Sequence, residues 1–268
     1  MMDSVQGLPS WYELTTPPGG LDRAIAFYGV VFGWDVVDSG MEGFDYRLAR
    51  AGGDMVAGLL AAPPDTEAPP AWLVYFGVDS ADAFVADALA DGASVHQPAT
   101  DIPGTGRYAV LGDPQGAMFG ILQPDMSDMS EEALAALAAG GGAFSPTRAG
   151  HGAWHELMAG DPVAAFAFYA SRFGWTRGEA VDMGESGTYQ LFRHHGRDIG
   201  GMMGLGESPV SAWLPYFTVD RPVSAVMEAA VADGGRVHHG PMEVPGPAYI
   251  AVLQDPAGAW FAVTGLER

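Results

Sequence analysis

Glu13 and Glu156 each stand two residues after a tryptophan, in Trp11-Tyr12-Glu13-Leu14 and Trp154-His155-Glu156-Leu157. Alternate side chains of a strand share a face, so Trp11 and Glu13 point one way and Tyr12 and Leu14 the other; His155 likewise points away from Glu156. An inward-facing carboxylate is costly unless it is paired or wetted by a cavity. Glu13 and Glu156 are therefore the candidates for general acid–base chemistry, with Tyr46 as the phenolic partner of Glu13. Trp11, Trp72, Tyr75 and Met118 in the first half, and Trp154, Tyr189, Trp213, Tyr216 and Trp260 in the second, are the candidate lining of an apolar ligand site, although such aromatics equally serve as core. Arg107, read against Ala248 in the second half, is the candidate partner of a ligand carboxylate or phenolate, with a surface salt bridge as the alternative.

Other chemistries lack their residues. The chain has no cysteine, which removes thiolate nucleophiles, disulfides and Cys-ligated metal. His194-His195 and His238-His239 are adjacent pairs whose rings face opposite ways on a strand, so neither pair chelates by itself. Gly104-Thr105-Gly106 and Gly140-Gly141-Gly142 lack the Lys-Ser/Thr ending of a phosphate loop.

Length and composition bound the class. The 268 residues, 48% of them apolar, suit two domains with sizeable cores. A formal charge of −21 with twelve basic residues argues against nucleic acid or an anionic membrane as partner. The N-terminus lacks a basic start and an apolar core, and no run approaches the roughly 18 apolar residues of a membrane span, so a cytoplasmic protein is the expectation.

The positioning elements are written twice. Phe27-Tyr28-Gly29-Val30-Val31-Phe32-Gly33-Trp34 returns as Phe168-Tyr169-Ala170-Ser171-Arg172-Phe173-Gly174-Trp175, and Leu111-Gly112-Asp113-Pro114-Gln115-Gly116 returns as Leu253-Gln254-Asp255-Pro256-Ala257-Gly258. The offset stays between 141 and 143, which implies duplication of a whole domain. Leu21–Phe32 carries apolar residues at helical spacing, and Asp161, Pro162 and Gly174 mark the start and stop of its second copy. Each half reads as strand, helix and three strands, twice over. The expected organisation is a first domain at 1–123, a connector with a short helix at 124–150, and a second domain at 151–268.

A tandem of βαβββ modules with an FYxxxFGW helix end and an Asp-Pro-x-Gly turn before the last strand resembles the vicinal oxygen chelate superfamily of glyoxalases, bleomycin-resistance proteins and extradiol dioxygenases. Among these the chain is most similar to tandem glyoxalase-like proteins. The resemblance implies an α+β fold of two tandem domains, four modules in all. It also implies metal ligands on the first, fourth, fifth and eighth strands of a domain. Here the eighth-strand carboxylate position holds Gly120 and Ala262, the fifth-strand histidine position holds Leu73 and Leu214, and the fourth strands carry no Glu or His past an early Asp. One carboxylate is too few for a divalent cation, so neither a metal nor another cofactor is expected.

Two function classes remain. The chain is an enzyme using Glu13 or Glu156 beside tyrosine donors for metal-independent chemistry on an aromatic or natural-product-like molecule, or it is a non-catalytic protein that sequesters such a molecule; a metal-dependent lactoylglutathione lyase or dioxygenase is disfavoured. A small molecule is the expected partner. Each half is expected to close its own cleft, which allows a monomer without excluding a homodimer. Because Arg107 and Met118 give way to Ala248 and Trp260, the first cleft is expected to be the roomier and the preferred one.

Overall fold

Local signals account for the helices. Asp161 accepts hydrogen bonds from the amides of Val163 and Ala164, Pro162 takes the first helical position, and Gly174 ends the helix at φ 67°, where its amide reaches the Ala170 carbonyl. Gly33 does the same at φ 69° for the first copy.

The computed structural model describes residues 5–41, 43–65, 69–127, 142–206, 208–246 and 248–268. In order these form β1 (Pro9–Thr16), α1 (Leu21–Phe32), β2 (Asp35–Asp38), β3 (Tyr46–Ala51) and β4 (Asp54–Ala61), followed by β5 (Ala71–Gly77), α2 (Ala81–Ala90), β6 (Ser94–Ile102), β7 (Gly106–Gly112) and β8 (Met118–Pro124). The second half repeats the plan with β9 (Gly152–Ala159), α3 (Pro162–Phe173), β10 (Thr176–Asp182), β11 (Thr188–His194) and β12 (Arg197–Gly204), then β13 (Ala212–Thr218), α4 (Val223–Ala232), β14 (Arg236–Val244), β15 (Ala248–Gln254) and β16 (Trp260–Gly265). The strands form two eight-stranded sheets, ordered β2-β3-β4-β1-β5-β8-β7-β6 and β10-β11-β12-β9-β13-β16-β15-β14. The α+β architecture of four βαβββ modules is thus the one read from the sequence. The connector helix expected after Pro124 falls almost wholly outside the described residues. Among the described residues no helix is long and apolar enough to cross a membrane.

The chain also divides into two compact units, and their membership crosses the halves. One comprises Met1–Ser10, Val74–Gly141 and Trp154–Trp213; the other comprises Trp11–Leu73, Gly142–Ala153 and Leu214–Arg268. Each half was expected to close on itself, whereas each unit draws a module from both halves.

In the unit holding α1, the rings of Tyr28, Phe32 and Trp34 from the first half pack with Phe217 and Phe261 from the second, and Phe32 and Phe217 lie 5.1 Å apart. The unit holding α3 repeats this with Tyr169, Phe173 and Trp175 against Phe76 and Phe119, and Phe76 and Phe173 are again 5.1 Å apart. A buried polar chain accompanies each cluster. Trp72 Nε1 donates to Tyr28 Oη at 2.8 Å and Tyr28 donates to Asp255 Oδ2 at 3.2 Å. In the other unit Trp213 donates to Tyr169 at 3.0 Å and Tyr169 to Asp113 at 3.0 Å. Burial, and then the facing carboxylate, push both tyrosine hydroxyls well above their ordinary pKa. Trp72 and Trp213 are therefore core members on the helix side of their strands and do not line a ligand site, which corrects the sequence reading. Alternation explains it, since Trp72 shares a face with fully buried Val74 and Phe76.

His155 lies on the core face of β9, fully buried, and its Nδ1–H donates to the Ile199 carbonyl at 2.8 Å. Burial lowers its pKa from 6.5 to about 4. Above the unfolded-state value both states are neutral; below it the unfolded chain takes up a proton that the native chain refuses. Stability is therefore lost as pH falls through this window. Between about pH 7 and about pH 5 the loss from this one group should be about 2 kcal/mol. Urea unfolding of wild type and His155→Gln at both pH values checks this: the variant should show a shallower fall, and parallel curves would refute the assignment.

Candidate functional site

Glu13 and Tyr46 meet because β1 and β3 flank β4. Glu13 pairs with Gly58 across the parallel β1–β4 ladder, and Tyr46 lies across from Leu60 on β4, two residues along. The glycine is required there. A Cβ on Gly58 would stand 1.8 Å from Tyr46 Oη, so the phenol occupies the space that any side chain would fill. Tyr46 Oη donates to Glu13 Oε2 at 2.9 Å and accepts from Trp11 Nε1 at 2.9 Å. A Trp–Tyr–Glu chain results, half-buried on one strand face.

The second copy has the same construction within its own unit. Trp154 Nε1 donates to Tyr189 Oη at 2.8 Å, and Tyr189 hydrogen-bonds Glu156. A Cβ on Gly201 would meet the Tyr189 ring at 2.1 Å. Burial raises the Tyr189 hydroxyl well above its usual pKa, and the charge of Glu156 adds to this, so the phenol stays protonated and available as a donor.

Other sequence candidates fall elsewhere. Tyr75 lies over Gly120, where a Cβ would stand 2.2 Å from its ring, and the Tyr108 ring is 6.5 Å away. Met118 alternates with Gly120 on β8 and is partly exposed. Tyr216 is buried in register with Ala262.

Arg107 is a correction. It alternates with fully buried Ala109 and Leu111, and it reaches Asp82 at the start of α2 at 3.0 and 3.1 Å and Asp101 at 2.7 Å. The guanidinium is thus committed to two carboxylates on the helix side, opposite Tyr108. Strand register also matches Arg107 with Tyr249 and not with Ala248, because Arg107 pairs with Gln123 and Tyr249 with Gly265. Trp260 is a second correction. It is 45% exposed and packs over the His238 ring at 4.1 Å, so it does not narrow the second copy.

Tyr108 escaped the sequence reading, although its alternation with Val110 marked the face opposite Arg107. The glycines under Tyr46 and Tyr189 also went unread, since a glycine in a strand signals close approach without naming the neighbour.

The donor set does not fit a resident metal. Tyrosine rings cover Gly58 and Gly120, Glu13 is bonded to Tyr46, and among the described residues no three His, Cys, Asp or Glu side chains are grouped to hold an ion.

Paired βαβββ modules forming two curled eight-stranded sheets, with a hydrogen-bonded carboxylate on the first strand of each half, define the protein class. A sequence profile described as Glyoxalase/Bleomycin resistance protein/Dioxygenase superfamily matches residues 14–121. The chain is 32% identical over 268 residues to a Mycobacterium tuberculosis protein named "Putative glyoxylase CFP32", covering 96% of this chain and 94% of that one. It is 29% identical over 281 residues to the anthracycline biosynthesis protein DauV of Streptomyces sp. strain C5, covering 98% and 94%. The chain belongs to the glyoxalase/bleomycin resistance/dioxygenase superfamily.

Solved structures share the fold at low identity. A Mn(II)-bound glyoxalase from Novosphingobium aromaticivorans aligns with a TM-score of 0.63 at 16% identity, covering 99% of this chain and 84% of that one. The 2,3-dioxygenase LapB from Pseudomonas sp. KL28 aligns at 0.64 and 15%, covering 98% and 93%.

Proposed function

We propose that the chain binds a small, fused-ring aromatic molecule of natural-product type over the Trp11–Glu13–Tyr46 face, where the Glu13–Tyr46 pair acts on the ligand's hydroxyl or carbonyl without a resident metal. The observation that carries this is the Trp–Tyr–Glu chain, built twice over a glycine that leaves room for nothing but the phenol. A core role alone would not need a half-buried carboxylate, because burying one has no benefit that an apolar side chain lacks. The ionised carboxylate has about four lone-pair sites, so a ligand hydroxyl can join Tyr46 on it. A deprotonated Glu13 can then accept that proton, with the indole of Trp11 flanking the rings. Relatives named for anthracycline biosynthesis support a polycyclic ligand.

The test uses 1,4-dihydroxyanthraquinone, titrated while tryptophan fluorescence is followed. Glu13→Gln should weaken binding by about tenfold, in line with one charge-assisted hydrogen bond, and Glu156→Gln should leave it near wild type. Absence of saturable binding would refute the reading, and loss only in Glu156→Gln would move the site to the second copy. Turnover separates the two function classes: a sequestering protein returns the ligand unchanged, whereas an enzyme yields a product whose formation stops in Glu13→Gln.

A further inference from the structure

All twelve basic residues of the chain are arginines, set against 33 acidic residues. Six of them, Arg23, Arg47, Arg107, Arg148, Arg172 and Arg193, reach a carboxylate within salt-bridge distance. Arg50 does not. It is half-buried on β3, its Nε is shut off from solvent, and that atom has no hydrogen-bond partner. Arg172 Nε is likewise shut off without a partner, but that guanidinium is held at Asp91, whereas the isolation of Arg50 traces to one substitution. The repeat places Arg193 at the matching position of β11, directly across from Asp198 on β12, which it grips at 2.7 Å. Arg50 lies directly across from Met55. The nearby Asp54 is taken by Arg148 and His151, and Asp35, across β2, forms no ion pair with Arg50.

Arg50 also lies on the face that matters. Tyr46, Leu48 and Arg50 alternate along β3 to one side, while buried Ala49 and Ala51 point to the other. Leu48 is in register with Gly58, and Gly58 with Glu13. Arg50 is two residues further on, so its Cα stands about 12 Å from that of Glu13 by strand spacing and rise. Because β4 runs parallel to β1 and antiparallel to β3, the displacement is toward the Trp11 end of the face.

We infer that Arg50 is a specificity residue for a carboxylate on the ligand, so that the first copy takes an elongated aromatic acid with its polar ring oxygens at Glu13–Tyr46 and its carboxylate at Arg50. The inference rests on the reading under Proposed function and adds the substrate class. A guanidinium left without a counter-ion is a ready bidentate donor for a planar carboxylate, and the same residue in the second copy is already neutralised.

1,4-Dihydroxyanthraquinone-6-carboxylate and the matching 6-carboxamide, which keep the hydroxyls that Glu13 accepts from, test it, with binding of each measured by fluorescence quenching. Wild type should prefer the carboxylate by roughly ten- to a hundredfold. Arg50→Gln should bind both compounds as wild type binds the amide. Met55→Asp, a change at a side chain 48% exposed, should restore the internal pair seen in the second copy and remove the preference without unfolding the chain. Arg193→Gln should change nothing. Persistence of the preference in Arg50→Gln, or its loss in Arg193→Gln, overturns the inference. Equal binding of both compounds by wild type overturns it while leaving the Glu13–Tyr46 reading intact. If neither compound nor 1,4-dihydroxyanthraquinone binds, that reading fails and the Arg50 inference with it.

Discussion

Replacing Asp255 by Ala is expected to destabilise the chain by about 3–5 kcal/mol. Its side chain is 3% exposed and serves four donors: Oδ1 accepts from the amides of Ala257, Gly258 and Ala259 at 2.8–2.9 Å, and Oδ2 accepts from Tyr28. Removing it leaves those turn amides and the buried phenol without their acceptor, and each orphaned buried group costs about 1–3 kcal/mol, offset in part where water can enter. The loss also reaches across the sequence, because Tyr28 and its donor Trp72 belong to the first half and Asp255 to the second. Tyr28→Phe should cost less, about 1–2 kcal/mol, since it deletes one hydroxyl and leaves the turn intact. Denaturant unfolding reads both. A value below about 1 kcal/mol for Asp255→Ala would mean that the Asp-Pro-x-Gly turn holds itself and that the link to Tyr28 is incidental.

The second large effect is on binding. Gly58→Ala puts a methyl 1.8 Å from Tyr46 Oη and 2.2 Å from Cζ, while the backbone at Gly58 is one that alanine adopts without strain. The clash therefore falls on the tyrosine, which must swing away and release both Trp11 and Glu13. Affinity for the dihydroxyanthraquinone should drop by roughly thirtyfold or more as two hydrogen-bonding links are lost. The fold should lose only about 1–3 kcal/mol through overpacking. Gly201→Ala makes the equivalent insertion beneath Tyr189 in the second copy and should spare binding at the first. Wild-type affinity in Gly58→Ala would show that the ligand does not use the Tyr46–Glu13 pair.

Much of this was legible before any coordinates. The duplicated FYxxxFGW and Asp-Pro-x-Gly blocks marked four modules, because helix caps, turn glycines and strand alternation are short-range signals that act within a few residues. Alternation alone put Trp11 with Glu13, and turned His155 toward the core. The same rule separates Arg107 from Tyr108 on β7, where Arg107 alternates with buried Ala109 and Leu111 and Tyr108 with Val110.

What the sequence determined by itself is the content of each module: its strands, its caps, the Glu–Tyr–Trp set on one face and the absence of ligating side chains at Gly120, Ala262, Leu73 and Leu214. Which module's turn meets which helix was decided only in the tertiary structure. Tyr28 and Tyr169 carry the same local pattern, as do Asp113 and Asp255, so either tyrosine could be matched with either carboxylate on sequence grounds. Packing makes the choice, joining Tyr28 to Asp255 and Tyr169 to Asp113. The isolation of Arg50 is equally non-local. It follows from Met55 standing across the ladder and from Arg148 and His151 holding Asp54, contacts between residues as many as 97 positions apart that no period or propensity records.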